Sequence, residues 1–63
     1  MVGVNRRVAR MINVLVVEDD SAVREVVVQA LVQRGFAVFA AEDPYAAIRI
    51  LAERYVDVLF TES

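Results

Sequence analysis

NVLVVEDDS, residues 13–21, is the stretch that decides the fold of this 63-residue chain. Its first five residues are nearly all β-branched or aliphatic, and they lead directly into three carboxylates and a serine. An apolar run without polar alternation predicts a strand that is buried on both faces, as in the parallel sheet of an α/β protein. In open α/β sheets, ligands bind at the carboxyl ends of the strands. The stretch therefore predicts both the fold class and the place of a site.

The three carboxylates that follow this strand, Glu18, Asp19 and Asp20, indicate what the site could bind. They repel one another unless a cation or hydrogen-bond donors lie among them. Hard cations such as Mg²⁺ prefer carboxylate oxygens as ligands, so the stretch predicts half of a metal-dependent anion site. A simpler interpretation is that Asp20 and Ser21 cap the next helix, and the two interpretations are compatible.

Length and composition limit the functions that are open to the chain. Sixty-three residues are marginal for one domain, since a chain of this size buries only about 60% of its unfolded surface. Cysteine and histidine are absent, which excludes a disulfide framework, a cysteine-ligated zinc site and serine–histidine catalysis. Hydrophobic residues make up 59% of the chain, but no uncharged apolar run approaches the ~20 residues that span a membrane. A net charge of −2 argues neither for nor against nucleic-acid binding.

Four further elements follow the first strand. Apolar spacing and turn residues predict a helix over 21–34, a strand over 36–40, a helix over 44–54 and a strand over 56–60. Gly35 suits the left-handed end of the first helix, and Asp43-Pro44 is a strong start for the second. The order β-α-β-α-β with right-handed crossovers predicts a three-stranded parallel sheet in the order 2-1-3.

Helical spacing also predicts which side chains are buried. For the first helix these are Val23, Val26, Val27, Ala30, Leu31 and Arg34, and for the second Ala47, Ile48, Leu51 and Tyr55. With only two helices to cover the sheet, some apolar side chains should face water or be half covered. We expect these to be Val28, Val32, Val58 and Phe60.

The first 11 residues are predicted to be a flexible basic arm, which leaves residues 12–63 as the domain. The arm carries Arg6, Arg7 and Arg10 and no acidic residue. It is not a signal peptide, because the apolar stretch behind it ends in carboxylates without a small-residue cleavage site. Three arginines without aromatic support also make a poor nucleic-acid-binding arm. Met11 directly precedes the strand and is an alternative start of translation.

The chain resembles the receiver domain of bacterial response regulators. The resemblance rests on VLVVEDD at 14–20, VR at 23–24, AED at 41–43, AAIRIL at 46–51 and DVLFTE at 57–62. It covers residues 12–63 but only the N-terminal half of such a domain, so it implies a truncated, flavodoxin-like receiver fragment. It also implies an acidic pocket for Mg²⁺, a third-strand aspartate that accepts a phosphoryl group from a sensor histidine kinase, and a cytoplasmic location.

The resemblance assigns roles to individual acidic residues. Glu18 and Asp19 match the pair that holds the metal, with Asp20 as a further candidate, and Glu62 matches the phosphoacceptor and a third ligand. Glutamate departs from the usual aspartate, and its extra methylene moves the carboxylate by more than about 1 Å. A misplacement of this size can cost about a hundredfold in rate. The family's lysine and hydroxyl after later strands have no counterpart, since the chain contains no lysine. We therefore expect weak Mg²⁺ binding and no phosphorylation.

Three functions are compatible with these residues. The first is a truncated receiver domain of phosphorelay signalling that is not an enzyme and cannot run the phosphorylation switch alone. The alternative is a phosphorylation-independent interaction module that pairs through the exposed edge of its third strand with a partner or with itself. A purely structural fragment is the third. A phosphatase of the haloacid dehalogenase type is rejected because Glu18 occupies the position of its nucleophilic aspartate.

Overall fold

A computed structural model of the protein describes residues 10–61. The elements are β1 (Asn13–Val17), α1 (Ser21–Gln33), β2 (Ala37–Ala41), α2 (Pro44–Glu53) and β3 (Val58–Thr61). This order confirms the predicted β-α-β-α-β arrangement. Of the predicted arm, residues 1–9 lie outside the described part of the chain, so its separation from the domain stays a prediction. No helix within residues 10–61 is long and apolar enough to cross a membrane.

The three strands form one parallel sheet in the order β2-β1-β3, as predicted. Leu15 lies at its centre, opposite Phe39 on one side and Leu59 on the other. Leu15 and Val16 are completely buried, which confirms the interpretation of the apolar run as a central strand. Parallel pairing brings the carboxyl ends of all three strands to the same edge of the sheet.

The second strand begins one residue later than predicted, and the third begins two residues later. The residues before each strand make other hydrogen bonds instead of the regular bonds of the sheet. The Phe36 amide donates to the Leu31 carbonyl at 3.1 Å and so belongs to the end of α1. The Tyr55 carbonyl accepts from Asn13 Nδ2 at 2.9 Å, and Asp57 Oδ2 accepts from the Asn13 amide at 2.8 Å. These bonds tie the connection before β3 to the start of β1.

The end of α1 is a left-handed turn at Gly35, as predicted. Gly35 has a φ of +95°, and its amide donates to the Val32 carbonyl at 3.0 Å. Together with the bond from the Phe36 amide to the Leu31 carbonyl, this satisfies two of the carbonyls that a helix leaves without partners at its end.

The helices cover opposite faces of β1 and β2. Leu15, Ala41 and Ala47 form a buried cluster with Ala46 and Ile50 packed against it, so α2 covers this face. Strand alternation turns Val14 and Val16 to the other face, where α1 lies. Within the described residues β3 contacts β1 and neither helix. The third strand is therefore uncovered on both faces.

The predicted buried face of α1 is partly wrong. The side chains that are half-buried against the sheet are Arg24, Val27, Val28 and Leu31, which follow the helical spacing one residue later than predicted. The remaining predicted positions, Val23, Val26, Ala30 and Arg34, are exposed. The apolar arc of this helix is wider than its contact with the sheet, and spacing alone does not tell which side of the arc is covered.

The predicted buried face of α2 is also partly wrong, and here the buried side chains lie one residue earlier than predicted. Ala47 is buried and Ala46 and Ile50 are half-buried, whereas Ile48, Leu51 and Tyr55 are exposed. Tyr55 instead lies beneath the Arg10 guanidinium, whose carbon is 5.3 Å from the centre of the ring. Each helix packs on the sheet with one side of its arc, and no further described element covers the other side.

The prediction of half-covered apolar side chains is confirmed. Val28 is half-buried, and Val32, Val58 and Phe60 retain 53%, 47% and 42% of their surface exposed. Leu59, between the last two, is 54% exposed. All of β3 is therefore an apolar strand in contact with solvent.

Candidate functional site

An acidic pocket of about 440 Å³ lies at the edge where the carboxyl ends of the strands meet. It is lined by Val17, Glu18, Asp19, Glu42, Asp43, Pro44 and Thr61. These residues come from the ends of β1, β2 and β3 and from the start of α2. The position is the one that parallel topology favours for a ligand.

Glu18 is held in this pocket by bonds along its whole length. Its amide donates to the Ala41 carbonyl at 3.0 Å, which extends the ladder between β1 and β2 by one step. Its carbonyl accepts from Arg24 Nη1 at 2.7 Å, and its Oε2 accepts from the Asp20 amide at 3.0 Å. The Arg24 contact explains why this charged side chain is half-buried on the sheet side of α1. Glu18 is thus positioned by both its neighbouring strand and the following helix.

Asp19 and Asp20 have different surroundings, although they are adjacent. Asp19 is exposed and lines the pocket. Asp20 is the N-cap of α1, because its Oδ1 accepts from the amides of Ala22 and Val23 at 2.9 and 3.2 Å. This confirms the capping interpretation for Asp20 rather than Ser21. The further role of Asp20 as a metal ligand stays a prediction.

The β2 side of the pocket adds two carboxylates that the sequence analysis did not include in the site. Glu42 is exposed, and Asp43 is the predicted N-cap of α2, with its Oδ1 accepting from the Ala46 amide at 2.8 Å. Their signal was present in the sequence. They follow the carboxyl end of β2, and the argument that selected Glu18 and Asp19 applies to them equally.

The β3 side of the pocket is reached by Thr61. Glu62, predicted as a metal ligand and as the residue at the phosphoacceptor position, lies outside the described residues. Its convergence with Glu18 and Asp19 therefore stays a prediction. Thr61 directly precedes it and lies on the pocket wall.

The donor chemistry of the pocket is compatible with Mg²⁺. Between residues 10 and 61, no group of three or more acidic, histidine or cysteine residues is gathered as a metal site. Mg²⁺, however, is commonly held by one or two carboxylates and several waters. Glu18 and Asp19 supply carboxylates of this kind at the pocket, so the residues present fit the ion.

The comparison with known families decides what this arrangement belongs to. The family model of the response regulator receiver domain matches residues 14–63. The chain belongs to this family. The match confirms the resemblance and connects the chain to two-component signalling, and the flavodoxin-like topology of the sheet agrees with it. No curated protein and no solved structure shows a significant match to the chain.

Proposed function

We propose that this receiver-family chain acts in two-component signalling as a module that binds Mg²⁺ weakly and does not accept a phosphoryl group. The observation that supports the proposal is the acidic pocket, in which Glu18 and Asp19, directly after β1, lie with Thr61 at the end of β3. In this proposal the chain is not an enzyme, it works in the cytoplasm, and a sensor histidine kinase is its partner by family.

Glu18 and Asp19 are the residues that would hold the ion. The bonds to the Glu18 amide, carbonyl and Oε2 fix this residue, so little ordering is needed at the moment of binding. When bound, Mg²⁺ would supply positive charge to a pocket whose lining includes four acidic residues, at positions 18, 19, 42 and 43. Binding is weak because few protein ligands are present and the chain has no lysine to balance an anion.

The absence of phosphorylation follows from the acceptor position. Glu62 takes the place of an aspartate, and phosphoryl transfer depends almost entirely on the placement of the reacting groups. A displacement of about 1 Å costs roughly a hundredfold in rate. The chain also contains no lysine that could stabilise the transferred charge.

Magnesium binding is tested by calorimetric titration of the full chain and of Asp19→Asn. Wild type should bind Mg²⁺ with a dissociation constant in roughly the millimolar range, and Asp19→Asn should bind about tenfold more weakly because a charged ligand is lost. Glu53→Gln is the matched control, since it removes an exposed carboxylate from the far end of α2. Identical binding by wild type and Asp19→Asn would contradict the proposal.

Phosphorylation is tested by incubating the chain with acetyl phosphate and Mg²⁺ and measuring its intact mass. The mass of wild type should not change. Glu62→Asp should also remain unlabelled, because restoring the acceptor does not supply a lysine. A receiver domain with the complete set of residues serves as the control for the donor. Gain of one phosphoryl group by wild type would contradict this part of the proposal.

A second function is favoured by β3. The strand lies at the edge of the sheet, and its Val58, Leu59 and Phe60 side chains are exposed. Uncharged apolar edges pair readily with other strands. This supports an interaction module that works without phosphorylation.

A further inference from the structure

We infer that Arg24 positions the acidic residues of the pocket for a divalent cation, although it is not among the described residues that line the pocket. The inference rests on the function proposed above, since it names the residue of α1 on which Mg²⁺ binding by Glu18 and Asp19 depends. Arg24 acts on the backbone of these residues and does not contact the ion, so it is a positioning residue.

Arg24 bonds to the backbone on both sides of Asp19. Its Nη1 donates to the Glu18 carbonyl at 2.7 Å, and its own amide donates to the Asp20 carbonyl at 2.8 Å. Between these two points, the Asp20 amide donates to Glu18 Oε2 at 3.0 Å. Because each peptide group is planar, these bonds fix the peptide groups before and after Asp19. One residue of α1 therefore holds both ends of the acidic turn, residues 18–20.

The side-chain bond of Arg24 lies in a more protected place than the other side-chain bonds of this turn. Arg24 is half-buried on the sheet side of α1, whereas Asp19 and Asp20 are exposed. The carboxylate bonds to the amides of residues 20, 22 and 23 are exposed to water. Hydrogen bonds from a charged donor are also roughly twice as strong as neutral ones. The Arg24 guanidinium should therefore contribute most to the order of the acidic turn.

Order in the acidic turn matters for a cation because Asp19 is exposed. A carboxylate on a mobile backbone must lose conformational freedom when it binds an ion, and this loss weakens binding. Partners that hold the ligand residues of a metal typically contribute roughly ten- to hundredfold to its affinity. The bond from Arg24 to the Glu18 carbonyl is a contact of this kind.

The positive charge of Arg24 has the opposite effect on a cation. A guanidinium beside Glu18 repels Mg²⁺, so on charge alone its removal should strengthen binding. If Arg24 positions the acidic turn, its removal should weaken binding in spite of the lost repulsion. The sign of the change in affinity therefore separates positioning from charge.

Calorimetric titration of Mg²⁺ into the full chain tests the inference. Arg24→Met keeps a long side chain and the backbone amide but removes the donor, and it should bind Mg²⁺ about tenfold more weakly than wild type. Arg24→Lys keeps the charge and a flexible donor, so its affinity should lie between the two. Arg34→Met is the matched control. It removes the same charge from the exposed C-terminal end of α1 and should stay within about twofold of wild type.

Amide hydrogen exchange in the presence of a chelator tests the positioning without any metal. In Arg24→Met, exchange at the Asp20 amide, whose acceptor is Glu18 Oε2, should speed up by about threefold relative to the Asp57 amide. The Asp57 amide donates to the Asn13 carbonyl at the opposite end of β1 and serves as the internal reference. A general loss of stability would affect both amides, so only a local effect changes their ratio.

The inference is supported if wild type binds Mg²⁺ most tightly, Arg24→Lys less tightly and Arg24→Met least. It is overturned if Arg24→Met binds at least as tightly as wild type, if Arg24→Lys binds no better than Arg24→Met, or if Arg34→Met loses as much affinity as Arg24→Met. If Arg24→Met fails to fold, Arg24→Lys decides. Affinity below wild type then supports the inference, and wild-type affinity overturns it.

Failure of the inference can be distinguished from failure of the proposed function. Weaker binding by Asp19→Asn together with full binding by Arg24→Met would keep the magnesium site and reject the role of Arg24. Identical binding by wild type and Asp19→Asn would reject the site. The exchange ratio of the metal-free chain would then decide whether Arg24 positions the acidic turn, and an unchanged ratio would overturn that role.

Discussion

Single carboxylates at the strand ends divide between two tasks. Asp20 and Asp43 each cap a helix, because a side-chain oxygen accepts a hydrogen bond from an amide in the first turn of α1 or α2. Asp19 and Glu42 are exposed on the pocket wall and make no comparable cap. Neighbouring residues of the same charge thus differ: one stabilises a helix start, and the other is left exposed at the pocket, where the proposed ion would bind.

Asp20→Ala is expected to lower the free energy of unfolding by about 1 kcal/mol, because two amides at the start of α1 lose their acceptor. Asp20→Asn should keep most of the stability, since its side-chain oxygen can still accept. Asp19→Ala is the matched control. Urea unfolding in the presence of a chelator, at one fixed protein concentration, measures all three. Equal losses for Asp20→Ala and Asp19→Ala would contradict the capping role.

The sequence was sufficient to predict features that depend on residues close together in the chain. The caps at Asp43 and Gly35 depend on bonds to residues no more than three positions away, and both were predicted. The contact from Arg24 to the Glu18 carbonyl was not predicted. Neither were the bonds between Asn13 and Asp57, which lie 44 positions apart. Such contacts depend on how elements pack, and no local pattern encodes them.

The helices show where pattern reasoning stops. Each has an apolar arc that spacing detects, but only one side of the arc meets the sheet. In α1 this side includes Val28, and Val26 on the other side is 67% exposed. The sequence predicted Val26 on the buried face, which is wrong, and Val28 among the side chains that face water or are half covered, which is confirmed. Which side of an arc is covered depends on the neighbouring elements, and here the sheet is the only described neighbour of either helix.

The rotation of α1 is tested by a matched pair of substitutions, Val26→Thr and Val28→Thr. Both replace a methyl with a hydroxyl at nearly constant volume in the same helix. Val28→Thr should destabilise the fold by about 1 kcal/mol, because a hydroxyl is then placed against the sheet. Val26→Thr should stay within about 0.5 kcal/mol of wild type, as for an exposed site. Chemical unfolding measures both, and the reverse order would support the buried face that spacing alone predicts.

For the whole chain, the strand topology could be predicted from the sequence. How far the helices cover the sheet could be predicted only in outline. The strand order follows from the handedness of two crossovers, and the edge where the acids meet follows from parallel pairing. Counting two helices against one sheet identified Val32, Val58 and Phe60 as exposed. The same counting did not show that both helices lie over β1 and β2 and leave β3 bare. That outcome depends on where each helix settles across the sheet.

The chain is expected not to fold as a stable monomer. Full burial of one large apolar side chain contributes roughly 1.5–3 kcal/mol. Four missing burials therefore remove about 6–12 kcal/mol, which is comparable to the 5–15 kcal/mol of an ordinary domain. Within residues 10–61, twelve large apolar side chains are exposed, and Val32, Val58 and Phe60 of the four expected are among them.

Thermal unfolding at a series of protein concentrations tests this expectation. The transition should be weak at low concentration, and its midpoint should rise with concentration if association supplies the missing burial. Leu59→Lys provides the comparison. A charge on the exposed edge strand β3 should weaken association, so the midpoint should depend less on concentration. A cooperative transition of a monodisperse monomer, with a midpoint independent of concentration, would show that the expectation is wrong.

Because β1 is central, its two neighbouring strands become available to it at different times during synthesis. Its partner β2 ends at Ala41 and its partner β3 ends at Thr61, so 61 − 41 = 20 residues are translated between the two. At about 5–20 residues per second the ribosome needs roughly 1–4 s for this interval. During it, the most buried of the three described strands has a neighbour on one side only. Factors that shield nascent chains would find their binding site on that open side.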